Sequence, residues 1–256
     1  MGFLDDQHAL ITGGGTGIGA AIARVLSGAG AAVSLAGRRQ APLDDVASGL
    51  PKATAIVADI TQQAECEAMI ATARKAHGPI DIVIANAGMA SSAPAAQIDL
   101  ALWQKTIDVN LTGAFLTVHA VLSDVTREKS GGVRRIVFIA STAGLKGYPY
   151  VAAYCAAKHG VIGLARSLSI ELASTGVTVN AVCPGFTDTP LLDAASEKIA
   201  TKTSRTTSQV RSELAKDNAH GRLITPDEVA QTVLWLCSPT AASINGQAIA
   251  VTGGPI

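Results

Sequence analysis

The chain is poor in charged residues and has no excess of either sign. Only 16% of its 256 residues are charged, and 20 basic side chains balance 20 acidic ones, so the formal net charge is zero. Without a basic surface or a long basic run, there is no electrostatic basis for binding nucleic acid or an anionic membrane. We therefore expect a small-molecule partner, with no nucleic acid and no membrane.

Long apolar runs and patterned cysteines are also missing. No apolar run reaches the roughly 18 residues that a membrane-spanning helix needs, and Met1–Asp6 lacks a basic segment followed by an apolar one. We therefore expect a cytoplasmic protein. The cysteines lie far apart without metal-ligand spacing, which predicts reduced, mostly buried thiols and no metal site. They are Cys66, Cys155, Cys183 and Cys237.

What the chain does have is enough apolar sequence for one large core. Hydrophobic residues make up 48% of it, and 256 residues are few for two full domains. Short apolar runs alternate with segments of helical periodicity. The runs are His8–Ile11, Ala32–Ala36, Ala53–Ala58, Ile80–Ala85, Arg135–Ala140, Val177–Cys183 and Gln247–Val251. This alternation predicts a single α/β domain over residues 1–256, a doubly wound Rossmann fold whose parallel seven-stranded sheet has helices on both faces.

A glycine-rich loop follows the first apolar run. The segment Thr12-Gly13-Gly14-Gly15-Thr16-Gly17-Ile18-Gly19 leads into apolar residues at helical spacing, which places the glycines on a strand-to-helix turn. Glycine lets the backbone approach a pyrophosphate, and the start of a helix offers N–H groups to its charge. A glycine cluster alone is compatible with a flexible loop, but this context favours a dinucleotide site. The candidate contacts are Gly13, Gly15, Thr16, Gly17, Ile18 and Gly19.

The second apolar run ends in Gly37-Arg38-Arg39. In a dinucleotide fold, an acidic residue at this place would bind the ribose 2′-hydroxyl, whereas arginine suits a 2′-phosphate. Arg38 and Arg39 therefore favour NADP(H). NAD(H) stays possible, because both arginines could equally be ordinary surface charges.

A tyrosine, a lysine and a serine form the candidate catalytic group. Tyr154 and Lys158 are four residues apart in an alanine-rich segment, so they share one face of a predicted helix. A neighbouring ammonium favours the phenolate, and we expect Lys158 to lower the pKa of Tyr154. Ser141 closes the fifth apolar run, where its hydroxyl could bond a substrate carbonyl. Alone, Tyr-x-x-x-Lys is more often a half-buried tyrosine beside a solvated lysine.

Thirteen residues separate Ser141 from Tyr154, and this spacing, together with the glycine loop, resembles the short-chain dehydrogenase/reductase family. The likeness covers nearly all of the chain. It implies that Asn110, Ser141, Tyr154 and Lys158 are catalytic and that Tyr154 and Lys158 also touch the cofactor. Asn110 would distort a long helix predicted from Trp103 to about Arg127, and would hold a water that links Lys158 to solvent.

The resemblance implies further cofactor contacts at the ends of later strands. Asp59 would contact the adenine ring, although it could equally cap the next helix. Thr187 and Thr189 would hold the nicotinamide carboxamide, or simply end a strand. The implied set is Asp59, Ile60, Asn86, Ala87, Gly88, Pro184, Gly185, Thr187 and Thr189.

Two segments near the C-terminus carry structural signals. Residues 188–222 are polar without a sheet pattern, and in this family such an insertion is a mobile substrate lid. Its basic residues could contact phosphates of coenzyme A or an acyl carrier protein, or lie on a solvated helical face. Thr225-Pro226-Asp227-Glu228 is a capping box with proline at the first helical position, which predicts a helix from Pro226 towards Cys237.

The implied activity is NAD(P)(H)-dependent hydride transfer between nicotinamide and a ketone or secondary alcohol. The chain looks most like 3-oxoacyl-ACP and polyketide ketoreductases and 3-hydroxyacyl-CoA dehydrogenases, so a 3-oxoacyl thioester is the first candidate substrate. A free cyclic or aryl ketone or alcohol is the second, and a non-catalytic dinucleotide-sensing protein is the alternative of another class. Relatives usually form homotetramers, or homodimers, through the helices containing Asn110 and Tyr154.

The predicted substrate pocket is fairly apolar. The candidate lining residues are Met89, Leu145, Tyr148, Phe186, Leu191 and Leu192. Cys155 and Cys183 should lie near the same centre, and a redox role for them is left open.

Overall fold

The computed structural model describes residues 2–128 and 131–256. The strands form one sheet in the order β3-β2-β1-β4-β5-β6-β7, and each neighbouring pair is parallel. They are β1 (His8–Thr12), β2 (Ala32–Gly37), β3 (Ala53–Val57), β4 (Ile82–Ala85), β5 (Arg135–Ile139), β6 (Thr178–Pro184) and β7 (Ala248–Val251). The order of the strands reverses between β1 and β4, so a ligand crevice is expected beyond the carboxyl ends of these strands.

Helices cover both faces of the sheet. They are α1 (Gly17–Gly28), α2 (Gln40–Ala47), α3 (Gln63–His77), α4 (Leu100–Ile107), α5 (Gly113–Val125), α6 (Ala152–Glu171), α7 (Pro190–Lys202), α8 (Thr207–Ala215) and α9 (Pro226–Leu236). One core layer joins the sheet to α3, α5 and α6, and the other joins it to α1, α2 and α9. The doubly wound α/β fold is confirmed.

The central strands are buried along their whole length. Every residue of β1, β4, β5 and β6 is buried, as strands covered on both faces require, whereas the edge strands β3 and β7 are partly exposed. This burial explains why each central strand is readable as a nearly continuous apolar run. The carboxyl ends of β1, β4, β5 and β6 are the positions from which the site is built.

The long helix predicted from Trp103 to about Arg127 is interrupted. It begins earlier, at Leu100, because the Asp99 side chain accepts a hydrogen bond of 2.7 Å from the Leu102 N–H. Between α4 and α5 the chain forms a π-helical turn, Asp108–Thr112. Such single turns occur frequently at functional sites, and this one lies where the resemblance implies a distortion at Asn110.

The capping box before α9 is confirmed. Thr225 Oγ1 accepts from the Glu228 N–H at 3.2 Å, and Glu228 Oε2 accepts from the Thr225 N–H at 2.8 Å. Residues 188–222, which carry no sheet pattern, contain the two helices α7 and α8. Within the described ranges, no helix is long and apolar enough to cross a membrane.

Candidate active site

Tyr154 and Lys158 lie together on α6, as their spacing predicts. The Lys158 side chain is almost fully buried, and its Nζ lies 5.6 Å from the centroid of the Tyr154 ring. The same Nζ donates a hydrogen bond of 2.8 Å to the carbonyl of Ile139, the last residue of β5. The sheet therefore fixes the position of the ammonium beside the tyrosine.

The predicted effect of Lys158 on Tyr154 is wrong for this structure. Burial raises the pKa of Tyr154 to about 12, while a side-chain hydrogen bond with Ser141 acts in the opposite direction. Burial also lowers the pKa of Lys158 to about 8. The Lys158 ammonium donates to the Ile139 carbonyl rather than to the phenol oxygen, and the loss of solvent around the phenol sets the direction of the pKa change.

Ser141 lies just beyond the carboxyl end of β5. Its Oγ accepts a hydrogen bond of 3.1 Å from the Ala143 N–H, which fixes the short turn that follows the strand. Because Oγ is the acceptor in this contact, the turn does not use the hydroxyl proton, and the same side chain also hydrogen-bonds Tyr154. The Cys183 thiol lies close to this group, as predicted, because it interacts with the backbone of Ser141 and with the charge of Lys158. Burial raises the pKa of this thiol to about 11.

Asn110 ties the π-helical turn to the loop after β4. It is 1% exposed, and its Nδ2 donates to the carbonyls of Met89 and Thr106, each at 2.9 Å. Its Oδ1 accepts from the Met89 N–H at 3.1 Å. A Cβ at Gly88 would lie 2.9 Å from Asn110 Oδ1 and 3.8 Å from Lys158 Nζ, so these residues adjoin. The implied water relay through Asn110 stays a prediction.

The glycine loop forms a cradle of bare backbone. Gly13 and Gly17 have φ angles of 66° and 52°, in the left-handed region that favours glycine. Helix α1 begins at Gly17, with no acidic residue in its first turn and no cap bond from the Thr16 side chain. The first N–H groups of a helix lack partners within the helix, so this end fits an anionic phosphate group.

Thr12 and Asn86 hold the loop in place. Thr12 Oγ1 accepts from the N–H groups of Asn86 and Ala87, each at 3.1 Å, and Asn86 Nδ2 donates to the Thr12 carbonyl at 2.8 Å. The Asn86 amide thus joins β4 to the glycine loop. Sequence reasoning missed this role of Thr12, whose only signal is a hydroxyl residue directly before the first glycine.

At the other end of the crevice, β2 ends beside Asp59. Asp59 Oδ1 accepts from the Thr61 N–H at 3.0 Å, and this bond is the main cause that lowers the pKa of Asp59, with a smaller contribution from the Arg38 charge. The alternative that Asp59 caps the next helix is wrong, because α3 begins at Gln63 and the residue at its N-cap position is Gln62.

The end of β2 has space for a ligand. Arg38 and Arg39 are exposed, and the Arg38 guanidinium makes no hydrogen bond or ion pair with any residue in 2–128 or 131–256. A Cβ at Gly37 would make only ordinary contact, 3.6 Å from Leu43. By contrast, the predicted contact Ile60 directs its side chain into the core, where it is 6% exposed.

The loop after β6 closes on the glycine loop. Thr187 Oγ1 donates to the Gly185 carbonyl at 3.0 Å, and Thr189 Oγ1 donates to the Thr187 carbonyl at 3.3 Å and caps α7. A Cβ at Gly17 would lie 3.2 Å from Thr189 Cγ2. The predicted nicotinamide and pyrophosphate ends of the site are therefore adjacent.

Asn218 is a residue that sequence reasoning missed. It is 1% exposed, and its Oδ1 accepts from the Phe186 N–H at 3.0 Å. Its Nδ2 donates to the carbonyls of Phe186 and Arg222 at 2.8 Å and 2.7 Å. Asn218 thus fixes the loop after β6 from within residues 188–222. A single asparagine in a polar segment gave no signal of this role.

Aromatic side chains line one wall near Ser141. Tyr148 donates a hydrogen bond of 2.9 Å to Thr142 Oγ1, and its ring meets that of Phe186 edge to face, with centroids 6.0 Å apart. Of the predicted lid contacts with the pocket, Leu192 is buried, whereas Leu191 is 46% exposed. The wall joins the loop after β5 to the loop after β6.

The model of the short chain dehydrogenase family matches residues 7–200. A putative ketoacyl reductase of Streptomyces coelicolor is 36% identical over 99% of this chain and 98% of its own. An acetoacetyl-CoA reductase of Shinella zoogloeoides is 38% identical over 96% of this chain and 97% of its own. The crystal structure of a variant of actinorhodin polyketide ketoreductase with NADPH is 36% identical, covers 99% of this chain and 98% of its own, and superposes with a TM-score of 0.92. The chain belongs to the short-chain dehydrogenase family.

Proposed function

We propose that this oxidoreductase reduces the ketone of a 3-oxoacyl thioester, carried on coenzyme A or an acyl carrier protein, with NADP(H) as the favoured coenzyme. The observation that carries the proposal is the meeting of Ser141, Tyr154 and Lys158 at the carboxyl end of β5, next to the cradle at the start of α1. Similarity to an acetoacetyl-CoA reductase and to ketoacyl reductases supports the thioester as substrate.

The residues divide the work between binding and proton transfer. When bound, the nicotinamide supplies the hydride. Ser141 donates a hydrogen bond to the ketone oxygen, and Tyr154 transfers its proton to the same oxygen as negative charge develops there. The raised pKa of Tyr154 keeps the phenol protonated at neutral pH, which is the form that reduction requires.

Lys158 and Asn110 keep this centre in place. With Nζ anchored on the Ile139 carbonyl, Lys158 offers its remaining protons to a ribose hydroxyl and holds positive charge near the phenol. Asn110 fixes the loop at Met89 and keeps Gly88 beside Lys158, and we assign to it the resupply of protons through water.

The coenzyme site extends across the crevice, with Arg38 at one end and Thr189 at the other. The cradle of Gly13, Gly17 and their neighbours takes the pyrophosphate, and the open guanidinium of Arg38 suits a 2′-phosphate. Thr187 and Thr189, beside Gly17, suit the nicotinamide carboxamide. The solved relative that contains NADPH supports this choice over NADH.

Three further properties belong to the same proposal: a substrate lid, a cytoplasmic location and assembly into an oligomer. Residues 188–222 form a lid over the substrate, joined to the β4–α4 loop through a hydrogen bond of 3.3 Å from Lys198 Nζ to the Ser92 carbonyl.

The protein assembles in the cytoplasm as a homotetramer or homodimer. Large apolar side chains exposed on α4, α5 and α6 support an interface there, among them Leu100, Phe115 and Ile170.

Replacement of the proton donor tests the function. We expect the wild-type protein to oxidise NADPH with acetoacetyl-CoA, and Tyr154→Phe to lower kcat by about 10²- to 10⁴-fold, the usual loss of a general acid. Binding of NADPH, followed by its fluorescence, should stay unchanged, because Phe keeps the ring beside Lys158.

Three results would contradict parts of the proposal. Near-normal turnover by Tyr154→Phe would overturn the role of Tyr154. NADPH binding with turnover of free cyclic or aryl ketones alone would overturn the thioester as substrate. Binding without turnover of any ketone or alcohol would instead favour a dinucleotide sensor.

A further inference from the structure

Tyr150 has a strained backbone. Its φ angle is 66°, a conformation that costs a large L-residue free energy and that persists only when the surroundings enforce it. Among the described residues only Asp6 shares this property without being glycine, and aspartate tolerates it better than tyrosine. Tyr150 also lies four residues before Tyr154 and just before α6, whereas Asp6 precedes β1, at the amino ends of the strands.

The strained residue lies where three segments around the active site meet. Its carbonyl accepts a hydrogen bond of 2.8 Å from the Ala93 N–H, in the loop between β4 and α4. The neighbouring Ser92 carbonyl accepts from Lys198 of α7, at 3.3 Å. The loop before α6, the loop after β4 and the segment 188–222 are thus linked through two consecutive residues. These bonds use the backbone of Tyr150 and leave its side chain uncommitted.

The Tyr150 side chain is the least anchored of the three tyrosines. It is 65% exposed, and within residues 2–128 and 131–256 it makes no side-chain hydrogen bond and no ring contact. The other tyrosines differ, since Tyr148 bonds Thr142 and Tyr154 adjoins Lys158. Glycine would adopt the same backbone without strain, so a residue with a Cβ at this position costs the free protein conformational energy. A ligand that this side chain contacts at the rim of the site would supply binding free energy that offsets the strain.

We propose that Tyr150 is a specificity-determining residue, whose phenol contacts the thioester-bearing arm of the substrate at the mouth of the site, beyond the reacting ketone. This rests on the proposed function. A phosphopantetheine-type arm carries amide groups and methylene chains, and a phenol can donate to an amide carbonyl while its ring packs on the methylenes. The strained backbone keeps the ring near the entrance before substrate arrives.

Two substrates with the same reacting ketone separate this contact from the chemistry. Acetoacetyl-CoA carries the arm, and ethyl acetoacetate lacks it. For Tyr150→Gly we expect KM for acetoacetyl-CoA to rise about three- to tenfold, the loss of one hydrogen bond with its packing, with kcat within about twofold. KM for ethyl acetoacetate should change by less than about twofold. Tyr150→Phe should lie between Tyr150→Gly and wild type.

The control variant is Asp6→Gly, which relieves the same kind of strain far from the site. We expect Asp6→Gly and Tyr150→Gly to be at least as stable to heat as wild type, and Asp6→Gly to leave both KM values unchanged. Equal changes for the two substrates, or none, in Tyr150→Gly would overturn the assignment to Tyr150 while the proposed function stands. Failure of the wild type to reduce acetoacetyl-CoA would overturn both.

Discussion

In the proposed function, the choice of coenzyme depends on Arg38. It is exposed at the end of β2, and no described residue forms an ion pair with its guanidinium. For Arg38→Gln we expect KM for NADPH to rise about 10- to 100-fold, because a charge-assisted hydrogen bond to a 2′-phosphate is lost. KM for NADH should change little. Steady-state rates with each coenzyme, at a fixed ketone concentration, measure the effect.

A second arginine controls for the loss of charge in general. Arg24 is exposed on α1, within the same half of the fold, so Arg24→Gln removes one positive charge away from the end of β2. Its KM for NADPH should match that of the wild type. An equal loss for NADPH and NADH in Arg38→Gln would show that Arg38 does not read the 2′-phosphate.

Residue positions were more predictable than residue environments. Ser141, Tyr154 and Lys158 meet because strand ends and a four-residue helical spacing have fixed geometry. The direction of the pKa change at Tyr154 was not predictable, because desolvation depends on packing from distant parts of the chain. The buried Asn218 was missed for the same reason, since Phe186, with which it makes two hydrogen bonds, lies 32 positions away in sequence.

At the scale of an element, α9 is the helix whose start is most completely specified. Thr225 and Glu228 cap each other, so Thr225→Ala removes an acceptor from the Glu228 N–H. We expect the free energy of unfolding to fall by about 1 kcal/mol, the usual cost of losing such a cap. Urea denaturation followed by circular dichroism measures it.

Thr232 provides the control on the same helix. Its hydroxyl donates to the Glu228 carbonyl at 3.1 Å, a bond within the helix that adds little to stability. Thr232→Ala should therefore change the free energy of unfolding by less than about 0.5 kcal/mol. If both variants lost the same stability, the capping box would not be the cause.

Elements marked by an apolar run were predictable from the sequence, and elements without such a run were not. The strands follow their apolar runs closely, as with β7, which covers all but the first residue of Gln247–Val251. The break at Asp108–Thr112 required the resemblance, because a single asparagine does not specify a π-helical turn. Helices α7 and α8 were not assigned, since their mixed polar faces leave no clear apolar stripe.

At the scale of the whole molecule, the carboxyl ends and the amino ends of the strands have different roles. The candidate active site lies at the carboxyl ends of the strands, whereas a pocket of about 530 Å³ lies at their opposite ends, beside the start of β1. His8 is buried there at 2% exposure, with Nδ1 2.9 Å from the Gly78 carbonyl and Nε2 2.9 Å from Ser34 Oγ. These hydrogen bonds join the start of β1 to β2 and to the residue that follows α3. They therefore contribute to stability rather than to the reaction.

Burial of His8 makes the whole fold sensitive to acid. Burial lowers the pKa of His8 below its usual value of 6.5, and His77, whose ring lies 5.2 Å away, lowers it further, while the hydrogen bond with the Gly78 carbonyl and the charges of Asp81 and Asp124 oppose the change. Near pH 6.5 the unfolded chain therefore binds a proton at His8 that the folded chain does not bind. The stability that neutral His8 provides is present above this pH and is lost as the pH falls below it.

We expect the free energy of unfolding, measured in urea between pH 7.5 and 5, to decline less steeply with falling pH in His8→Gln than in wild type, by at most about 1.4 kcal/mol per pH unit. His119→Gln, which removes an exposed histidine, should keep the wild-type slope. The same slope in all three proteins would mean that protonation elsewhere, not at His8, drives acid unfolding.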